Sequence, residues 1–194
     1  MMDVVTGEGI ILGRKSLRES GHHKRAPHIE GSERIAMLPY ADLVLYDHLG
    51  RLIAVAEIKN KRGTSGDWAA KLRRNILAHG GFPHVDFYLI ITPDRLYLWK
   101  GAGEQPDLIQ PTYEIDAQPI FKAYLERAGV APGDVSGGAF ELLVESWLSD
   151  LMSSEKPVDQ FANGEKWLVE SSFLGAVKDG RIESVNEHST TSVR

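Results

Sequence analysis

Two short apolar runs, Ala41–Asp47 and Arg51–Lys59, flank the tetrapeptide Asp47-His48-Leu49-Gly50. A connection this short, turn-like in composition and ending in glycine, joins neighbouring antiparallel strands. The two runs therefore make a hairpin. Pairing centred on His48-Leu49 gives partner numbers that sum to 97 and sets Asp42 opposite Val55. The two-residue period of a strand then places Asp42, Glu57 and Lys59 on one face, whereas a slip of one residue would separate them.

From Gly66 the apolar period changes. Asp67 is positioned to cap a helix in which Trp68, Leu72, Ile76 and His79 form the apolar stripe, while Lys71 and Arg74 share another face; Gly80-Gly81 and Pro83 stop it. Asp86–Thr92 reads as a buried strand, Pro93-Asp94 as a turn and Arg95–Lys100 as an alternating strand. The order strand, strand, helix, strand, strand predicts a mixed α/β core at 39–101. A Pro-containing linker runs from Gln105 to Pro119, followed by helices at Ile120–Ala128 and Phe140–Met152. A strand at Trp167–Val169, a turn at Lys178–Arg181 and a polar tail at Asn186–Arg194 come last. Residues 102–194 thus read as a mostly helical, acidic extension packed on or beside the core. Residues 1–38 read as a partly irregular segment. Its His22, His23 and His28 belong to a polar loop better than to a metal site, and Gly7-Glu8-Gly9 lacks the strand, third glycine and helix of a nucleotide fingerprint.

A chain of 194 residues, 42% apolar and 25% charged, can bury one core and is not disordered throughout. With no cysteine, it has no disulfide, thiolate-held zinc, iron–sulfur cluster or thiol nucleophile. Apolar runs such as Leu52–Ala56 and Phe87–Ile91 are five residues long, against the roughly 20 of a membrane span. Met1-Met2-Asp3 lacks the basic start of a secretory signal, so the expectation is a cytoplasmic protein with no membrane partner.

The net charge of −5 conceals a strong asymmetry. Residues 1–57 carry −1, residues 58–101 carry +5 and residues 102–194 carry −9. Six cations, Lys59, Lys61, Arg62, Lys71, Arg73 and Arg74, fall within sixteen residues with only Asp67 among them. Such a cluster fits a phosphate-facing patch, and equally a solvated helix face and loop. Trp68, Tyr97 and Trp99 could stack on bases, but core or edge packing suits them better.

Glu57-Ile58-Lys59 gains meaning only from context, because 15 Glu and 10 Lys in a chain of this length give slightly under one Glu-x-Lys by chance. Here the tripeptide ends an apolar strand, and Asp42 starts the strand beside it. A half-buried carboxylate next to an ammonium is costly unless paired or bound to a metal. Two carboxylates with the Ile58 carbonyl between them are hard oxygen ligands suited to Mg²⁺ or Mn²⁺, and Lys59 could orient a water or help deprotonate it. The bland alternative is a surface ion-pair cluster contributing about 0–1 kcal/mol.

In Asp42, Glu57-Ile58-Lys59-Asn60-Lys61, the helix that follows, and Thr92 through Lys100, residues 39–101 resemble the PD-(D/E)XK nuclease superfamily. A fainter similarity is to the nuclease domains of type I restriction subunits. The resemblance implies a restriction-endonuclease-like α/β fold, a central mixed sheet flanked by helices. It implies metal held by Asp42 and Glu57, Lys59 acting on the water, and Lys71 assisting at the phosphate. It further implies a metal-dependent DNA endonuclease, with Lys61, Arg62, Lys71, Arg73 and Arg74 on the nucleic acid, working as a homodimer or within a larger complex. The sequence departs from the family where Pro39-Tyr40-Ala41-Asp42 replaces a direct Pro-Asp, and Pro93-Asp94 falls after Glu57. Glu30 and Glu33 are candidates for the acid of a leading helix. The competing expectation is a nuclease-like fold kept as a non-catalytic nucleic-acid-binding or assembly module, docking partners through acidic 102–194.

Overall fold

The computed structural model describes residues 41–79, 83–161 and 163–185. The histidines, glutamates and glycines singled out before residue 41 lie outside these residues. The chain forms six strands in one mixed sheet, ordered β5-β4-β3-β2-β1-β6. Strands β1 (Leu43–Tyr46) and β2 (Leu52–Ile58) are the expected hairpin. Gly50, at φ +76°, donates its N–H to the Asp47 carbonyl, and the Asp47 carboxylate accepts from the backbone N–H groups of Leu49 and Arg51. Helix α1 (Gly66–Ala78) crosses from β2 to its parallel neighbour β3 (Phe87–Ile91), and β4 (Arg95–Lys100) returns antiparallel.

The segment after Gly101 is more than an appendage. It supplies both edges of the sheet: β5 (Tyr113–Asp116), inside the stretch read as a linker, pairs with β4, and β6 (Arg181–Ser184) pairs with β1. It also supplies α2 (Gln118–Ala128), α3 (Gly137–Ser153), α4 (Lys166–Glu170) and α5 (Phe173–Val177). Strand alternation divides the core in two. Leu43, Ala56, Leu89 and Leu98 face these later helices with Phe121, Phe140, Trp147 and Phe173, whereas Val44, Val55, Ile90, Tyr97 and Trp99 face α1. The result is an α/β protein with a helical layer on each side of a mixed sheet. Tyr97 and Trp99 are buried and Trp68 packs partly buried against the α1 layer, in keeping with packing roles.

Three local expectations are corrected. Ser65, not Asp67, caps α1, its hydroxyl accepting from the Trp68 N–H at 3.3 Å. The buried face of α1 is Ala69, Ala70, Arg73, Ile76 and Leu77, with Trp68 and Leu72 at its margin and His79 exposed. Trp167–Val169 lies within helix α4 rather than a strand, because both tryptophan and leucine bury against Phe173 and its surroundings through a helical turn. Among the described residues no helix is long and apolar enough to cross a membrane.

Candidate functional site

Asp42 stands one residue before β1. Its N–H donates to the Ala56 carbonyl at 3.1 Å, and its own carbonyl accepts from the Val185 N–H at 3.0 Å, so backbone bonds hold it from both sides. Its register differs from the expected one in an instructive way. The hairpin closes through Asp47 N–H to the Arg51 carbonyl, and Tyr46 pairs with Leu52. Carried on unchanged, that pairing would set Asp42 opposite Ala56, on the face away from Glu57. A bulge between Leu45 and Tyr46 shifts the ladder to Leu45↔Ala54, Val44↔Val55 and Leu43↔Ala56. One step further, Asp42 comes level with Glu57 instead of Val55. The shared face is preserved although the expected register is not.

Glu57, level with Ile90 of β3, is only 7% exposed. Lys59 follows the end of β2, its N–H donating to the Ile91 carbonyl at 2.9 Å. In a parallel ladder this turns the Ile58 backbone the other way, toward β1, where its N–H donates to Asp42 Oδ2 at 2.6 Å. The Lys59 ammonium forms an ion pair with Glu57 Oε1 and lies 3.8 Å from Asp42 Oδ2. Burial works to lower the pKa of Lys59, but the hydrogen bond and charge of Glu57, then the charges of Asp42 and Glu141, outweigh it and hold the group above its ordinary value. Below the site the Tyr88 phenol is buried, and burial together with the nearby Glu57 charge pushes its pKa up.

Glu141, from the second turn of α3, was not singled out by sequence, which offers no local signal linking it to Lys59. Its placement follows from two tethers. Asn60 Nδ2 donates to the Val135 carbonyl at 2.8 Å, and Arg62 Nη2 donates to the Pro132 carbonyl, tying the loop before α3 to the exit of β2.

The cations expected on nucleic acid separate into two groups. Lys61, Arg62, Lys71 and Arg74 are exposed, with Lys61 5.4 Å from the Trp68 ring centroid. Arg73 is not part of that surface. It is 1% exposed, its guanidinium 5.6 and 5.8 Å from the Tyr88 and Trp99 ring centroids and bonded through Nη2 to the carbonyls of Ala102 and Gly103. Helical spacing contains the signal for this: Arg73 lies three residues after Ala70 and four before Leu77, both buried.

Asp42, Glu57 and the Ile58 carbonyl are hard oxygen donors whose chemistry fits Mg²⁺ or Mn²⁺. Among the described residues no group of three or more His, Cys, Asp or Glu is gathered to hold an ion, so any such site would rest on this small set. Magnesium tolerates few protein ligands because it retains water and takes phosphate oxygens. Comparison of the chain with known protein-family models, with curated proteins and with solved structures finds no match.

Proposed function

We propose that this chain is a metal-dependent nuclease that hydrolyses phosphodiester bonds, acting on DNA as an endonuclease. The observation that supports this reading is the convergence of Asp42, Glu57 and Lys59 at the exit of one hairpin, on the sheet face that α1 covers, with Lys71 and Arg74 exposed on that helix. Asp42 and Glu57, with the Ile58 carbonyl, would hold Mg²⁺ or Mn²⁺. When bound, the ion lowers the pKa of an attacking water and offsets charge on the scissile phosphate. The residues of the chain do the rest. The Ile58 N–H fixes the Asp42 carboxylate, and β2 and β3 fix Glu57. Lys59, whose ammonium lies beside both acids, would donate a hydrogen bond to the water or to a phosphoryl oxygen. Lys61, Lys71 and Arg74 attract the phosphate backbone, and Arg62 does so from a side chain already anchored at Pro132.

Cleavage of supercoiled plasmid across a Mg²⁺ and Mn²⁺ series tests the proposal. Metal-dependent nicking should fall at least a hundredfold in Glu57→Gln and Lys59→Ala while both variants keep the parent's circular dichroism at the assay temperature, Lys59→Ala with a lower Tm because it leaves the buried Glu57 carboxylate without its ammonium. Full cleavage in both would refute it. One observation favours a second reading, a non-catalytic nucleic-acid-binding module: the Lys59 ammonium already pairs with both carboxylates without a metal. Salt-sensitive DNA binding with no turnover in any metal would select that reading.

A further inference from the structure

Residues 102–194, nearly half of the chain, carry −9, and at the sheet edge farthest from β1 their acidic surface stands apart from the candidate site. Strand β5 ends the sheet, three positions from β2, and among the described residues no strand pairs with its outer side. The Ala117 N–H donates to the Asp94 carbonyl in register with the β4–β5 ladder. Alternation therefore turns the backbone groups of Tyr113 and Ile115 toward β4 and those of Glu114 and Asp116 outward. The edge has no lysine, no proline and no bulge; what guards it is its length of four residues and the charge of Glu114 and Asp116, which repels an acidic strand and attracts a basic one.

Alongside it runs a groove of about 950 Å³. Ile120, Trp147 and Trp167 form apolar parts of its wall, on the sheet face occupied by Ile115. Glu165 and Glu170 line it with a single cation, Lys166, whereas Glu114 and Asp116 border it with their backbone and by strand alternation turn their side chains to the other face, where Glu114 Oε2 lies beside Gly66 of α1. Glu165 is occupied by Lys156 at 2.9 Å, but Glu114, Asp116 and Glu170 are exposed and make no ion pair among the described residues.

We propose that this edge binds an extended basic peptide of a partner protein, which adds to β5 as a further strand. Hydrogen bonds to the outward groups of Glu114 and Asp116 supply register. The two-residue period of the incoming strand sorts its side chains: alternate apolar residues enter the groove toward Trp147 and Trp167, and the lysines or arginines between them meet Glu114 and Asp116. The site goes beyond the nuclease reading and does not depend on it.

The test uses the full chain and two fluorescein-labelled octapeptides, (Lys-Val)4 and (Glu-Val)4, followed by anisotropy at low and high salt. The lysine peptide should bind, weaken as salt screens the acids, and exceed the glutamate peptide in affinity at least tenfold. Glu114→Pro removes an outward N–H without breaking a bond to β4 and should weaken binding at least tenfold. The double reversal Glu114→Lys with Asp116→Lys tests the same edge should the proline unfold the protein. Lys59→Ala should bind the peptide as the parent does, which separates this site from the nuclease reading. Absence of lysine-peptide binding, equal affinity for the two peptides, or binding unchanged by both edge variants would overturn the proposal. So would self-association of the parent, by sedimentation, that Glu114→Pro abolishes, because the edge would then belong to a second copy of this chain.

Discussion

Replacing Arg73 separates a structural cation from the exposed cations proposed to bind nucleic acid. Its guanidinium lies over two aromatic rings and bonds the Ala102 and Gly103 carbonyls, clamping the turn after β4 onto α1. Two hydrogen bonds from a charged donor contribute about 1.5–3 kcal/mol each, and two buried cation–π contacts about 1–2 kcal/mol each. Against these stands a burial cost of several kcal/mol for the cation, made larger because Nε and Nη1 have no hydrogen-bond partner among the described residues. Arg73→Ala loses the favourable contacts and leaves a cavity as well, so a net loss of about 3–4 kcal/mol is expected. Arg73→Met restores most of the volume and removes the desolvated charge, so its loss should be about 1–2 kcal/mol. Urea unfolding followed by tryptophan fluorescence measures both. In parallel, DNA affinity measured between 50 and 200 mM salt should keep its salt slope in Arg73→Met, whereas Lys71→Ala and Arg74→Ala should each reduce the slope by about one without changing stability. If Arg73→Met keeps parental stability and lowers the slope by one, the structural assignment of Arg73 is wrong.

Three further outcomes are expected. Gly180→Ala should destabilise the protein by about 3 kcal/mol or more in a thermal melt, since a Cβ there would lie 2.0 Å from the Tyr46 carbonyl oxygen and 2.9 Å from that of Val177, neither of which can yield without moving backbone. Ser65→Ala removes the cap of α1 and should cost about 1 kcal/mol by urea unfolding, with Ser65→Asp restoring it. Burial and its hydrogen bond to Asp150 push the Tyr124 phenol up to about 12. Its contribution to stability is therefore complete below the ordinary tyrosine pKa and is lost as pH rises from there through about 12. Tyrosinate absorbance of the parent minus Tyr124→Phe should show that late midpoint, and Asp150→Asn should bring it down.

The legible parts of this fold are those whose information is local. Asp47 through Gly50 announce the hairpin, and Phe87–Ile91 and Arg95–Lys100 announce themselves by apolar pattern. The placement of Asp42 beside Glu57 was legible only as a parity argument, and the actual path to that parity depends on a bulge at Leu45/Tyr46 that composition does not mark. Arg73 was hidden by its company. Beside Lys71 and Arg74 it reads as one of a run of cations, although its spacing from Ala70 and Leu77 assigns it inward. Lys166-Trp167-Leu168-Val169-Glu170 is too short for a helical period to be told from a strand. The edge strands β5 and β6 are four residues each and partly polar, so their strand character comes from the partners they meet. The reach of Glu141 toward Lys59 likewise arises from the tethers of Asn60 and Arg62.

The place of β6 in the sheet also dictates when the site can assemble. Asp42 is seated by residues that follow it by more than a hundred positions: Ser184 lies opposite Leu43, and Val185 bonds the Asp42 carbonyl. During synthesis from the N-terminus, the hairpin can close early, but β1 remains an open edge until residues 181–185 have left the ribosome. The backbone of Asp42 is thus given its last bond by nearly the last described residues to be made, although the Ile58 N–H can hold its carboxylate earlier, and a nascent chain halted around residue 160 would display the acids without the strand that seats the first of them.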